Sequence, residues 1–242
     1  IYKRLYCYMK ALELRRRGLS YGDIRKIIRA ELQWTPSKGE LSEWLRGIHT
    51  PLGNVAVFDV RRPEVGLILG LILSDGDEYP CQGGYRENFY NTDPRLLMEF
   101  SEAAENLGLK AWRRERLSEL QVPYSELEVK STLAYLLLKR YDEFIVKAPS
   151  QVQLAFLRGL WLGDGSLRSH KFANTDLRLI EVVEEQPRKH HIEFTRQGPH
   201  PNRGLGEKLI YYVHVLDNSW HLFRALTQIA ESPPRSACKS TV

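Results

Sequence analysis

Two apolar segments stand out in the pattern of hydrophobic and polar positions, and both end in Asp-Gly. The first runs from Val65 to Gly76 and the second from Leu154 to Gly165. In each segment a small residue recurs at every fourth position, namely at Gly66, Gly70, Ser74 and at Ala155, Gly159, Gly163. Positions four apart share one face of a helix, so each segment is predicted to be a helix with a smooth stripe. The glycine after each aspartate is predicted to cap its helix.

A second block follows each apolar segment and is repeated as well. Residues 89–97 read FYNTDPRLL and residues 172–180 read FANTDLRLI, with the same residue at six of nine positions. Two blocks in the same order indicate that the chain from about residue 61 onward is two copies of one unit. The aspartate and the repeated asparagine are sixteen residues apart in the first copy and ten in the second. The hairpin between them is therefore predicted to be six residues shorter in the second copy.

Both copies predict the same order of elements, αββαββα, which places the body in the α+β class. Thr92-Asp93-Pro94 is predicted to cap the helix that follows the first hairpin. In the first copy the elements after the hairpin are helix Leu96–Leu107, strands Lys110–Leu117 and Val122–Lys130, and helix Thr132–Arg140. In the second copy they are helix Leu177–Glu185, strands Ile192–Arg196 and Leu209–Val215, and helix Trp220–Ile229.

The aspartates Asp75 and Asp164 come directly after the two small-residue stripes. Helices that run the same way and pack stripe against stripe bring both carboxylates to one end of the seam. Two anions repel each other there, and each faces the negative end of its helix dipole, so the pair needs a cation. Magnesium or manganese prefers carboxylate, carbonyl and phosphate oxygens and polarises a phosphodiester. The pattern therefore predicts a divalent-metal site for phosphodiester hydrolysis.

The charge distribution adds a basic segment to this picture. The chain has 242 residues and a net charge of +5, and residues 1–60 hold eleven Lys and Arg against six Asp and Glu, which leaves 24 of each elsewhere. A basic segment joined to a neutral body suggests a polyanion-binding module. The three cysteines are far apart and form no C-x-x-C pair, which argues against a disulfide framework and a zinc site. No apolar run spans a membrane and no signal peptide is seen, so we expect a soluble cytoplasmic, nucleoid-associated protein.

Residues 1–52 are predicted to form three helices, and residues 53–62 a linker. Ser20 and Ser37 are the predicted N-caps, and glycines end the first and third helices at Gly18 and Gly47. The helices lie around Leu12–Arg17, Ile24–Ile28 and Ser37–Arg46, with a predicted core face at Leu41, Trp44 and Leu45. The segment resembles a helix-turn-helix domain of the resolvase or transposase kind. The resemblance implies that the third helix contacts DNA through Lys38, Ser42 and Arg46.

The two Asp-Gly helices resemble the motif of the LAGLIDADG homing endonucleases. Residues 69–76 read LGLILSDG and residues 158–165 read RGLWLGDG, and the repeated Asn-Thr-Asp blocks fit the family as well. The resemblance divides the body into units at 63–147 and 148–242. It implies two pseudo-symmetric units that form a saddle over double-stranded DNA. It also implies a monomer that cuts a long asymmetric site in intron homing.

The resemblance further implies roles for individual residues. Asp75 and Asp164 correspond to the metal-binding acids, with the carbonyls of Ser74 and Gly163 as further ligands. Lys130 resembles the basic residue that polarises the active-site water or phosphate, and its counterpart in the second copy is a leucine, which predicts unequal chemistry in the two halves. The two hairpins supply candidate base-reading residues: Arg86, Asn88, Tyr90, Arg168, His170 and Lys171.

Other functions fit the same pattern. The same fold joined to a helix-turn-helix serves in non-cleaving transcription regulators, and some relatives act as maturases on intron RNA. Retention of both aspartates favours cleavage, because a regulator needs neither. A third interpretation is a helix-turn-helix protein whose body only dimerises or binds a ligand.

Overall fold

The computed structural model describes residues 2–51, 58–81, 84–201 and 208–230 of the chain. These residues form ten helices and two four-stranded antiparallel sheets, which is the predicted α+β class. Within the described residues, no helix has both the length and the apolar character needed to cross a membrane.

The basic N-terminal segment contains three helices, at Tyr2–Arg16 (α1), Tyr21–Leu32 (α2) and Lys38–Leu45 (α3). The predicted caps are confirmed, since the Ser20 and Ser37 hydroxyls accept main-chain N–H bonds at 3.2 and 3.0 Å. The predicted core residues Leu41 and Trp44 are buried, and Leu45 packs against them. Helix α1 begins ten residues earlier than predicted. Its buried face extends back through residues at helical spacing, namely Cys7, Ala11 and Leu14.

The rest of the described chain follows the predicted order of elements. Unit one contains helix Pro63–Asp75 (α4), strands Gly76–Cys81 (β1) and Gly84–Asn91 (β2), helix Pro94–Asn106 (α5), strands Ala111–Leu117 (β3) and Pro123–Lys130 (β4), and helices Thr132–Lys139 (α6) and Tyr141–Lys147 (α7). Unit two contains helix Ser150–Gly163 (α8), strands Gly165–Ser166 (β5) and Lys171–Asn174 (β6), helix Leu177–Lys189 (α9), strands Phe194–Pro201 (β7) and Leu209–Val215 (β8), and helix Asp217–Thr227 (α10). Helix α7 is an addition that the repeat pattern did not predict.

The two sheets have the same topology. Their strand orders are β1-β2-β4-β3 and β5-β6-β8-β7, and each first hairpin continues from the helix that ends in aspartate. The repeated phenylalanines Phe89 and Phe172 are fully buried and lie opposite Leu127 and Val213. Lys130 comes three residues after Leu127, and Leu216 comes three residues after Val213. The two positions are therefore equivalent, as predicted.

Helices α4 and α8 pack against each other with almost no side chain between them. A Cβ added to Gly66 would lie 2.0 Å from the Val152 carbonyl oxygen, and one added to Gly70 would lie 2.4 Å from that of Phe156. From the other side, a Cβ on Gly159 would lie 2.6 Å from the carbonyl oxygen of α4 at position 67. The small-residue stripes therefore form the backbone contact that was predicted.

The glycines after the two aspartates do not cap their helices in the predicted way. Gly76 has a φ of −134°, which is extended backbone and not the left-handed region of a glycine cap. Glycine is needed here for close approach, because an added Cβ would lie 2.3 Å from the Asn88 carbonyl oxygen. The same reason holds at Gly165, where a Cβ would lie 2.5 Å from the Trp161 carbonyl oxygen.

Two further boundaries differ from the prediction. Phe58, inside the predicted linker, is buried in the core of the two units, while residues 52–57 lie outside the described residues. Helix α9 runs four residues beyond Glu185 and includes Pro187. A proline so close to the end of a helix removes little of the hydrogen-bond ladder, and this one packs in a buried position.

Candidate metal centre and nucleic-acid interface

The ends of α4 and α8 meet at the two aspartates. Asp75 is the last residue of α4, and Asp164 follows the last residue of α8. A Cβ added to Gly163 would lie 2.0 Å from the Ser74 hydroxyl oxygen and 3.2 Å from Asp75 Oδ2. The glycine-striped seam thus brings the two carboxylate-bearing ends into contact.

The electrostatics of this pair favour a bound cation. Partial burial raises the pKa of Asp75, and a hydrogen bond from Asn91 opposes part of that rise. Asp164 is more exposed, yet loss of hydration and then the charge of Asp75 raise its pKa to about 6. Among the residues that the structure describes, neither carboxylate forms an ion pair. Two adjacent carboxylates without a cationic partner match the donor set that a hard divalent ion prefers.

Asn91 belongs to this site, although sequence reasoning assigned it no role there. Its Nδ2 donates to Asp75 Oδ2 at 3.1 Å, while its Oδ1 accepts the Asp93 N–H at 2.8 Å and so fixes the orientation of the amide. The equivalent Asn174 makes the second of these bonds, from Asp176 N–H at 2.8 Å. The repeated Asn-Thr-Asp block was the signal that could have identified it.

The described contacts of Lys130 do not reach the aspartates. The side chain is exposed at the end of β4, with Nζ 5.4 Å from the centre of the Trp112 ring. Lys130 pairs with Arg86 on β2. Arg86 is three residues before Phe89, and Phe89 pairs with Gly76. At about 3.4 Å per residue, this places the backbone of Lys130 about 10 Å from the level of the Asp-Gly turn.

The face of sheet one opposite the helices, which we call face one, carries an arginine and glutamate network. Glu128 is only 2% exposed and accepts from Arg86 at 3.0 Å, with Arg114 at 3.2 Å. Glu126 is similarly shielded and lies 2.6 Å from Arg116. The buried glutamates therefore hold three arginines in place on face one.

The predicted base-reading residues of unit one occupy this face, but they are not equally accessible. The register puts Arg86, Asn88 and Tyr90 on one side of β2. Asn88 is 1% exposed, and its amide donates to Asp77 at 2.8 Å and to the Tyr90 hydroxyl at 3.1 Å. Asp77, which the prediction overlooked, accepts the hydrogen bond from the Asn88 amide. Asn88 was expected to face solvent, and it does not.

The corresponding face of sheet two, which we call face two, is built differently. Lys171 lies on it and donates to Gln197 Oε1 at 3.1 Å. Arg168 is exposed in the short turn between β5 and β6. His170 points elsewhere, since its ring stacks on Trp220 at 4.3 Å. Of the predicted trio, Arg168 is the exposed residue, while His170 and Lys171 are partly buried.

The three predicted contact residues of α3 share one surface. Lys38 and Arg46 are exposed and Ser42 is partly buried, at a spacing of four residues along and just beyond the helix. The buried Leu41 and Trp44 lie on the opposite side. This surface is therefore available to a partner.

Comparison with known proteins places the chain among LAGLIDADG-like folds. It superposes on the homing endonuclease I-DmoI, solved in complex with DNA and manganese, with a TM-score of 0.54 and 18% identity over 70% of this chain and 98% of that one. It also superposes on the N-terminal LAGLIDADG domain of DUF199/WhiA, with a TM-score of 0.51 and 13% identity over 74% and 88% of the chains. At these identities the likeness establishes the fold alone.

Sequence relatives are distant. An uncharacterized protein of Methanocaldococcus jannaschii is 25% identical over 198 residues, which cover 78% of this chain and 70% of that protein. A DNA polymerase of Thermococcus kodakarensis is 28% identical over 138 residues, which are 54% of this chain and only 8% of the polymerase. No family model matches the chain.

Proposed function

We propose that this chain is a sequence-specific endonuclease that hydrolyses both strands of DNA with a divalent metal held by Asp75 and Asp164. The observation that carries the proposal is the contact between the two aspartate-bearing helix ends, with two carboxylates and no ion-pair partner among the described residues. The fold is shared with I-DmoI, which was solved with DNA and manganese, magnesium or calcium. Magnesium or manganese is the proposed metal here.

The proposed roles in hydrolysis are metal binding by the two aspartates and orientation of Asp75 by Asn91. The two carboxylates would hold the ion, with the carbonyls of Ser74 and Gly163 proposed as further ligands. When bound, a divalent ion polarises the phosphodiester and acidifies a water molecule. Asn91 orients Asp75 through Oδ2. Hydrolysis adds one water across one ester P–O bond and leaves a phosphate monoester and a hydroxyl.

The sheets are proposed to bind the duplex. Face one offers arginines held by buried glutamates, and such fixed guanidinium groups suit base edges and phosphates. Face two offers Lys171 and the exposed Arg168. Lys130 is proposed to contact a phosphate on face one, since its register position places it away from the aspartates.

The N-terminal segment is proposed to extend the binding site as a helix-turn-helix domain. Its excess of basic residues supplies salt-dependent affinity, and the surface of Lys38, Ser42 and Arg46 is the proposed contact. We propose domains at 1–52, 63–147 and 148–242, acting as a monomer on a long asymmetric site.

Selection from a randomised duplex library tests the proposal and finds the target site at the same time. Wild-type protein in EDTA and the Asp75→Asn variant are used to select bound duplexes. Magnesium or manganese is then added to wild type, Asp75→Asn and Asp164→Asn. We expect wild type to cut both strands, and each variant to bind equally well and cut at least about 100-fold more slowly. Wild type that binds selected DNA but leaves it intact with both metals would contradict the proposal.

A non-cleaving regulator is the second candidate, and two observations favour it. The fold is also that of the LAGLIDADG domain of DUF199/WhiA, and a basic three-helix segment precedes it here. The same selection discriminates the two, since a regulator yields a bound motif that survives in magnesium. A maturase would instead select folded RNA over duplex DNA.

A further inference from the structure

Unit two contains a second cluster of side chains that can bind a metal. Its donors include histidine nitrogens, unlike those of the aspartate pair. His170, His214 and Asp217 each offer one ligand atom, and these atoms lie within 4.8 Å of one another. His170 Nδ1 is 2.9 Å from Asp217 Oδ1. The three residues come from the β5–β6 turn, strand β8 and the first position of α10. Two donors three residues apart in sequence and a third from 44 residues earlier thus meet at one point.

The imidazole of His170 is held in place before any ligand binds. Its ring stacks on Trp220 at 4.3 Å with an interplanar angle of 16°. Its backbone has a φ of +55°, an unusual conformation for a residue with a side chain, and its carbonyl accepts the Val215 N–H at 3.0 Å. A fixed ring and a fixed backbone reduce the entropy lost when a metal binds.

The equivalent positions in unit one are closed to a metal. The register equates His170 with Glu87 and His214 with Glu128. Glu87 is fully buried, and its carboxylate accepts the Ser131 N–H at 3.1 Å. Burial raises its pKa to about 9, so it is protonated at neutral pH. Glu128 is occupied by arginines, so at these equivalent positions the donor set of unit two is the open one among the described residues.

The donor atoms of the cluster select the kind of ion. Two are imidazole nitrogens and one is a carboxylate oxygen. A hard ion such as Mg²⁺ prefers a set made of oxygen atoms alone. Imidazole nitrogen binds borderline transition metals strongly, and a neutral imidazole is the ligand form.

We propose that His170, His214 and Asp217 bind one transition-metal ion of the Zn²⁺ type, separate from the aspartate pair. With bonds of about 2.0–2.2 Å to one tetrahedral ion, ligand atoms lie about 3.4 Å apart. The 2.9 Å hydrogen bond between His170 and Asp217 would therefore give way to coordination of both residues. The ion would tie the short β5–β6 turn to α10 and stiffen the edge of face two. The prediction against a zinc site considered cysteines alone, and this site uses none. The inference stands whether or not the chain cuts DNA.

Zinc binding in an Asp75→Asn, Asp164→Asn background tests the site without interference from the first pair. Titration calorimetry is expected to show one Zn²⁺ per chain, with little competition from excess Mg²⁺. His214→Gln is expected to weaken it at least tenfold, and Asp217→Asn by several-fold. The matched control is His221→Gln, which removes an exposed histidine from the same helix.

Two further measurements keep the outcome clear. Co²⁺ in place of Zn²⁺ is expected to give a visible absorption band that His214→Gln removes and His221→Gln keeps. Circular dichroism is expected to show that each variant is folded. Absence of zinc binding in the double-aspartate background, or equal loss in the His214 and His221 variants, would overturn the proposal.

Discussion

Unit one and unit two have the same topology and differ in what surrounds their functional side chains. Asp75 accepts a hydrogen bond from Asn91, whereas Asp164 has no such donor among the described residues. Face one holds its arginines with buried glutamates, and the paired positions of face two carry Lys171 and histidine without a buried acid. The seam allows little variation, because a Cβ at its glycines would collide with backbone. Side chains beyond the seam are free to diverge.

This difference teaches that pseudo-symmetry of the backbone does not imply equal metal ligation. The seam fixes where both carboxylates lie, and the neighbours of each carboxylate set its affinity for protons and cations. We therefore expect the shared ion to be held firmly by Asp75, and its binding by Asp164 to depend more on pH.

The largest expected effect comes from breaking the feature that the units share. Gly70→Ala places a Cβ 2.4 Å from the Phe156 carbonyl oxygen and 2.9 Å from the Leu160 nitrogen, so the helices must separate. We expect a loss of about 3 kcal/mol or more in the free energy of unfolding. Urea unfolding measures it. Gly39→Ala is the control, because its nearest neighbour atom is 4.0 Å away, and equal stability of the two variants would argue against the tight seam.

The asparagines provide a matched pair for the difference between the units. Asn91→Ala and Asn174→Ala each remove one bond to a main-chain N–H at a helix start, at 2.8 Å in both units. Both should lose about 1 kcal/mol of stability. Only Asn91→Ala also removes the bond to Asp75, and we expect about tenfold weaker Mn²⁺ binding by calorimetry. A similar loss of affinity in both variants would mean that the two aspartates are equivalent.

A smaller effect distinguishes the two faces in DNA binding. Lys171→Gln removes a positive charge from face two and should reduce the salt slope of affinity by about one. Glu128→Gln removes the buried anion that Arg86 and Arg114 share, and should raise affinity for non-specific DNA while reducing discrimination. Fluorescence anisotropy over a range of salt concentrations measures both. Unchanged slopes would place the duplex elsewhere.

The smallest expected effect is the pH dependence from Asp164. Its folded-state pKa of about 6 is above the ordinary value of 3.8, so the folded protein holds the proton more tightly than the unfolded chain. In EDTA, the ionised group opposes folding increasingly as pH rises from about 4 through 6. Asp164→Asn should therefore gain in Tm relative to wild type over that range, and metal affinity of wild type should rise with pH. A constant Tm difference would contradict the raised pKa.

The sequence predicted most of what the repeat encodes directly. Gly70 and Gly159 revealed the seam because a small residue every fourth position has few other uses on a helix. The serine caps and most strand boundaries followed from local chemistry that needs only neighbouring residues.

What escaped prediction depends on contacts distant in sequence. The bond from Asn91 to Asp75 spans sixteen residues, and the turn of His170 toward Trp220 spans fifty. Asn88 lies on the predicted face of its strand, but its amide donates a hydrogen bond to Asp77 on the neighbouring strand. Gly76 was predicted to be a left-handed helix cap, and that prediction was wrong. Close approach of two backbone segments also requires glycine, so the sequence alone does not distinguish the two cases.

Iron-mediated cleavage of the polypeptide tests the central claim most directly, since it needs no DNA target. Fe²⁺ replaces the divalent ion and reduces added hydrogen peroxide to hydroxyl radicals, which cut the chain beside it, while ascorbate returns Fe³⁺ to Fe²⁺. We predict fragments that end near residues 75 and 164, suppressed by excess Mg²⁺ and lost in Asp75→Asn with Asp164→Asn. Cuts near residues 170 and 214 would report the histidine site and should resist Mg²⁺. Absence of Mg²⁺-sensitive cuts at both aspartates would contradict the account.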